Sequence, residues 1–181
     1  MKKAFVFLAT GFEETEAVGT IDVLRRGGIE TTVVSITQEL SVSGAHGLEV
    51  VADALYEEVN FIEADALVLP GGMPGSSNLN ACEPLKTQLL KHYNEGKLVA
   101  AICAAPIVLG GLGILKGRTA TCYPSFESAL TGANVTDNPV EVDGNVITGR
   151  GPGLVFNFSL AIVDALRGKA VAEEVAAGLL L

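Results

Sequence analysis

The 181-residue chain has no tryptophan, only two histidines, and far fewer basic than acidic residues, 12 against 21. Each shortage excludes something. A formal net charge of −9 with no basic run repels phosphate backbones, so nucleic acid is not an expected partner. Two histidines and three scattered cysteines, Cys82, Cys103 and Cys122, make neither a metal cluster nor a CxxC pair. An odd cysteine count is a poor disulfide framework and fits a reduced compartment. No GxGxxG or P-loop pattern occurs, which argues against dinucleotide and phosphate cradles. Met1-Lys2-Lys3 leads into an apolar stretch that reaches only to Glu13. That is too short for a membrane span and carries no clear cleavage site, so the cytoplasm is the expected location.

What is present is apolar and small. Hydrophobic residues make up 49% of the chain, enough to fill a sizeable core, and the 21 glycines point to tight turns and close backbone approaches. No repeat, linker or low-complexity segment divides the chain, so one domain spanning residues 1–181 is expected.

Ala4 to Ala9 and Ala66 to Leu69 are continuous apolar runs, as is Leu98 to Ile102. Such runs suit strands buried on both faces. Ile29 to Ile36, rich in Thr and Val, reads as a further strand. Between these lie helical patterns. From Glu13 to Arg26, Ala17, Ile21 and Leu24 share a face, acidic residues open the helix, Arg25-Arg26 close it, and Gly27-Gly28 stops it. Pro84 opens another helix, on which Leu85, Leu89 and His92 align. A Gly/Ser/Asn-rich loop is expected between Gly72 and Pro84. Residues Val42 to Ala52 read as a flap of two short strands, and Thr119 to Cys122 as a short strand. Asp143-Gly144 reads as a two-residue hairpin turn. A later helix should bury Phe158, Ala161, Ile162, Ala165 and Leu166, and a last one is marked by Val171, Val175 and Leu179. Strands alternating with helices imply an α/β fold with a doubly wound, mostly parallel sheet and a small β-hairpin.

In such sheets function gathers at the carboxyl ends of the strands. One strand delivers Gly11-Phe12-Glu13-Glu14-Thr15-Glu16, another Gly71-Gly72, and a third Cys103. Small neighbours, Ala100, Ala101, Ala104 and Ala105, let the chain reverse sharply at Cys103 and expose its sulfur, as in a nucleophile elbow. The helix that follows points its N-terminus at the sulfur, which predicts a favoured thiolate. Amides of Gly72 and Ala104 are placed to hold an oxyanion. Glu16, semi-buried beside that anion, is expected to stay partly protonated and to move protons. Cys82 reads as an exposed residue ahead of a helix and His92 as structural, and Glu13 and Glu14 read as complements to the helix dipole. Cys122, His46 and Arg150 are further candidates for the pocket region.

These segments, together with Leu69-Pro70, the run Ala100-Ala101-Ile102-Cys103-Ala104-Ala105-Pro106 and Arg150-Gly151-Pro152-Gly153, resemble the ThiJ/PfpI superfamily. The similarity is strongest to the branch of the Parkinsonism-associated deglycase, and it covers essentially the whole chain in order. The resemblance implies a flavodoxin-like sandwich and a homodimer, with Cys103 as nucleophile and Glu16 as its hydrogen-bonded acid. It implies a cofactor-free glyoxalase or deglycase acting on small reactive carbonyl compounds. Other members are described as oxidative-stress sensors that form a cysteine sulfinate, as chaperones, as intracellular peptidases, or under thiamine-biosynthesis names. Two departures bear on the choice. Family peptidases carry His directly after the cysteine, where this chain has Ala104. The deglycase branch often has a His near the cysteine, where this chain has Tyr123, a phenol that ionises too high to serve as a base at neutral pH.

Overall fold

The computed structural model describes all residues from 1 to 181. Eleven strands run in chain order as β1 (Lys3–Leu8), β2 (Glu30–Ser35), β3 (Ser41–Ser43), β4 (Glu49–Val51), β5 (Ala54–Leu55), β6 (Ala66–Leu69), β7 (Leu98–Ile102), β8 (Thr119–Thr121), β9 (Asn134–Thr136), β10 (Val140–Asp143) and β11 (Val146–Gly149). The α-helices are α1 (Glu14–Arg26), α2 (Gly75–Ala81), α3 (Glu83–Asn94), α4 (Pro106–Gly111), α5 (Val155–Arg167) and α6 (Lys169–Gly178). Seven strands form one sheet in the order β10-β11-β7-β6-β1-β2-β5, parallel except for the edge strand β10. No helix is long and apolar enough to cross a membrane.

The unbroken apolar runs of the inner strands have a direct cause. Side chains alternate across a strand, and both faces of this sheet are covered. Ala4, Val6 and Leu8 of β1 face one layer, with Ala100 and Ile102 of β7 beside Ala17 and Leu24 of α1 and Phe158 and Ile162 of α5. Phe5, Phe7 and Ala9 face the other, with Val99 and Ala101, beside Leu79 of α2, Leu85 and Leu89 of α3, and Leu109 of α4. The face predicted for α1 is the buried one, and so is that predicted for α3.

The structure corrects the expected elements in several places. The segment after Gly72 is not a continuous loop but holds α2, whose Ser76 and Leu79 are buried. The turn of the β10–β11 hairpin is Gly144-Asn145, because Asp143 pairs with Val146. Gly144 alone of the two takes positive φ, +61°, which fits a turn with glycine in its first central position. The buried stripe of α5 is rotated from the predicted one. Val155, Phe158, Ser159, Ile162 and Val163 face inward, while Ala165 is exposed and Ala161 and Leu166 are half-buried. The rotation follows from two neighbours, α1 and α6, which pack against α5 from different sides. Strand β8 does not join the main sheet and pairs instead with β9.

Phe158 is fully buried where α5 meets the sheet, and its ring crowds Gly149 so closely that a Cβ there would lie 2.9 Å away. Phe158→Ala should therefore lower the unfolding free energy by about 3–5 kcal/mol, read from the urea midpoint at unchanged m-value.

Candidate active site

β1, β6 and β7 are adjacent and parallel, with Val6 opposite Val68 and Val68 opposite Ala100. Their carboxyl ends therefore open on one side of the sheet, and each releases a different kind of group. β7 runs into Cys103, which has φ +65°, a left-handed conformation rarely adopted by a side-chain-bearing residue. Backbone bonds hold it there: its N–H donates to Gly149 O at 2.9 Å and its carbonyl accepts from Tyr123 N–H at 2.8 Å. The strained turn puts the sulfur against β6, where the chain has Gly71 and Gly72. A Cβ on Gly71 would lie 2.6 Å from both Cys103 Cβ and Glu16 Oε2. Gly72 has φ +89°, and a Cβ there would lie 2.3 Å from Glu13 N. The two glycines are thus demanded by close approach as well as by the turn.

Glu16 sits in the first turn of α1 with its side chain fully buried. Oε2 accepts from Gly71 N–H at 2.8 Å. Oε1 has no conventional hydrogen-bond partner, although the carboxyl is close enough to the Cys103 thiol for each to shift the other's proton affinity. Burial pushes the Glu16 carboxyl up to about 7; the thiol and Gly71 N–H act against the rise, and the Glu13 charge adds to it. Burial also pushes the thiol up to about 12, helped by the neighbouring carboxylate and opposed by the amides of Gly72 and Ala104. Between those values the pair carries one negative charge, written either as thiol and carboxylate or as thiolate and carboxylic acid.

This differs from the thiolate expected from the helix dipole alone. The amides do favour the anion, but Cys103 is only 7% exposed and α4 has six residues, so burial outweighs the helix. The sulfur is ionised only in the form in which Glu16 keeps its proton.

The remaining sequence candidates lie elsewhere. His46 is not bonded to the sulfur. Its ring nitrogen Nδ1 meets Glu14 Oε2 at 2.8 Å, and its backbone N–H donates to Glu14 Oε1 at 2.6 Å. Glu14 is buried and held below the usual carboxylate range by its bonds to His46, which outweigh its burial. It fastens the β3–β4 flap to α1. Arg150 pairs with Asp137 rather than with an acid of α1. Tyr123 contributes its backbone to the elbow, while its ring is 46% exposed and lies over Gly151. His92 is fully buried on α3, and Cys122 is buried with its thiol pushed up to about 11 by burial. No histidine is available to Cys103 from this chain. The residue that sequence reasoning undervalued is Glu13, the N-cap of α1, whose carboxylate accepts from Glu16 N–H at 2.7 Å.

A parallel α/β sheet with a cysteine on a strained strand-to-helix turn, faced by a buried carboxyl, defines a class of cysteine-centred flavodoxin-like proteins. Residues 2–165 match the model of the DJ-1/PfpI family, and the chain belongs to that family. It is 42% identical over 182 residues to DJ-1 homolog B of Arabidopsis thaliana, covering 99% of this chain and 42% of that protein. The chain thus spans less than half the length of the Arabidopsis relatives it matches. The crystal structure of Drosophila melanogaster DJ-1beta superposes with a TM-score of 0.95 at 39% identity, over 99% of this chain and 98% of that one. A protein of Caenorhabditis elegans described as a glutathione-independent glyoxalase is 37% identical over 158 residues, 86% of this chain and 83% of its own.

The raised Glu16 has a thermodynamic consequence. Unfolded, the carboxyl loses its proton near the ordinary 4.5; folded, it keeps it to about 7. The folded state then binds more protons at this group, so the Glu16 contribution to stability is full below pH 4.5 and is lost as pH rises towards 7, opposite in sign to that of Glu14 and Asp65. The loss amounts to about 3 kcal/mol. Urea unfolding from pH 4.5 to 8 should show this decline in the wild type and a much flatter profile in Glu16→Gln.

Proposed function

We propose that the chain is a cofactor-free, cysteine-dependent enzyme of the glyoxalase or deglycase type, acting on small dicarbonyl compounds such as methylglyoxal. The observation that carries this reading is the buried pair of Cys103 and Glu16, which holds one negative charge and one mobile proton beside backbone amides. The glyoxalase description of the nematode relative supports it.

The chemistry follows from the thiolate–carboxylic acid form of the pair. Cys103 Sγ attacks the aldehyde carbon of methylglyoxal, and Glu16 gives its proton to the resulting alkoxide, leaving a hemithioacetal. The Glu16 carboxylate then takes the hydrogen from that same carbon as a proton, leaving an enediolate, and returns it to the neighbouring carbon, while the hydroxyl proton passes from the first oxygen to the second. The product is a lactoyl thioester on Cys103, and water releases lactate and the thiol. No electrons enter or leave, so neither a redox partner nor glutathione is consumed. The amides of Gly72 and Ala104, which favour negative charge on the sulfur, are near enough to stabilise oxygen anions formed on the carbon attached to it. Peptide hydrolysis fits less well. An amine leaving group needs a proton from a general acid, usually an imidazolium beside the nucleophile, and neither histidine serves: His46 is engaged by Glu14 and His92 is buried on α3.

Purified protein should convert methylglyoxal to lactate without added thiol or metal. Cys103→Ser should abolish turnover, and Glu16→Gln should reduce kcat by about 10²–10⁴-fold. In the wild type, kcat/KM should rise with pH to a plateau, with an apparent value of about 7 from the pair. Equal turnover in wild type and both variants would remove the proposal.

A further inference from the structure

Glu13 and Glu16 stand three apart at the start of α1, the spacing of a capping box. In a capping box the N-cap side chain accepts from the backbone N–H three residues on, and the acid at that position reaches back to the N-cap N–H. Here only the first half is made. Glu13 accepts from Glu16 N–H at 2.7 Å. The returning bond is replaced: Glu13 N–H donates to Gly71 O at 2.9 Å. The Glu16 carboxyl is thereby released from the helix end, and its Oε2 takes Gly71 N–H from the other side of the same residue. Gly71 is gripped at both ends, by the backbone of Glu13 and the side chain of Glu16. Its missing side chain makes room for both, since a Cβ there would strike Glu16 and Cys103.

We propose that Glu13 is a positioning residue for the site: its carboxylate holds the Glu16 amide while its own N–H is taken by Gly71 O, so that the Glu16 carboxyl is left to face β6 and Cys103 with a negative charge one turn away. This deepens the reading given under Proposed function and rests on it for the role of the pair. A neutral cap such as Ser or Asn would satisfy the same amide. A glutamate brings in addition a full negative charge one helical turn from a buried carboxyl. Two titratable groups act on Glu16, Cys103 from the elbow and Glu13 from its own helix; the third contact is the Gly71 amide of the β6 loop. No lysine or arginine forms an ion pair with either glutamate. The one basic group facing Glu13 is His46 of the β3–β4 flap, whose ring nitrogen lies within 4.8 Å of the Glu13 and Glu14 carboxylates and whose proton affinity is raised by its bond to Glu14 and, more weakly, by the Glu13 charge. Glu13 raises the proton affinity of Glu16 against that partial compensation.

Charge and geometry are separable. Glu13→Gln keeps an acceptor for Glu16 N–H and removes the charge. Glu13→Asp keeps both charge and cap. The readout is the pH dependence of Cys103 alkylation by iodoacetamide, followed by mass spectrometry of the Cys103 peptide, which needs no turnover. Wild type should show a rise with a midpoint of about 7. Glu13→Gln should move that midpoint down by about half a pH unit or more, and Glu13→Asp should restore it. A merely structural cap would change the thermal midpoint of Glu13→Gln and leave the alkylation midpoint where it was, and that result overturns the inference. A shifted alkylation midpoint in a protein that does not turn over methylglyoxal upholds the role of Glu13 and removes the glyoxalase reading. Turnover with an unshifted midpoint does the reverse.

Discussion

Two acids sharing one negative charge in a nearly buried site are the constraint on which this structure turns. Neither Glu16 nor Cys103 can ionise alone without affecting the other, because a second charge has no cation and little solvent to meet it. Apart from Glu13, whose negative charge raises the proton affinity of Glu16, the groups around the pair supply partial positive charge or shield it from solvent. The amides of Gly71, Gly72 and Ala104 do the first. The packed ends of β1, β6 and β7 do the second. Such a site leaves little room, which is why the chain places Gly71 where the side chains of Glu16 and Cys103 converge and Gly72 against the backbone that leads into α1.

The fold makes that convergence cheap. Parallel strands all deliver their carboxyl ends to the same side, and the order β7-β6-β1 puts the three site-bearing loops side by side. Cys103 takes its position from backbone bonds to Gly149 and Tyr123, so β11 and the segment after β8 both brace the elbow. Left-handed backbone at a non-glycine residue is unfavourable in isolation. Here it is imposed by a core of fully buried strands on both faces, whose packing leaves the turn no alternative.

Much of this was legible in the residue pattern, and the reasons are physical. Ala66–Leu69 and Leu98–Ile102 read correctly to the residue because fully buried strands admit no polar interruption. A cysteine after an apolar strand is by itself more often an inert core residue, and Cys103 became a candidate only because residues 11–16 and Gly71-Gly72 end neighbouring strands. What stayed hidden depended on neighbours distant in sequence. The rotation of α5 is set jointly by α1 and α6. The engagement of His46 depends on a flap folding back onto Glu14, 32 residues earlier. The raised thiol of Cys103 was invisible too, since a helix dipole can be inferred from sequence but burial of a sulfur cannot. The capping spacing of Glu13 and Glu16 was present in the sequence, yet only the position of Gly71 reveals that the second half of the box is left open.

The use of a carboxyl rather than an imidazole beside the sulfur also has a chemical logic. A thiolate–imidazolium couple is neutral overall and suits expulsion of an amine, which must leave with a proton. A thiolate–carboxylic acid couple keeps a net negative charge through every proton position. Moving a hydrogen between two adjacent carbons requires a group that gives, takes and gives again without changing the charge of the site. A carboxyl held near neutral pKa does this at little cost at each step, because donation and abstraction are then close in free energy. Glu16, lifted to about 7 by burial, meets that requirement. In the proposed reaction the proton work would fall to Glu16, the carboxyl that the fold has both buried and left with an oxygen that makes no hydrogen bond.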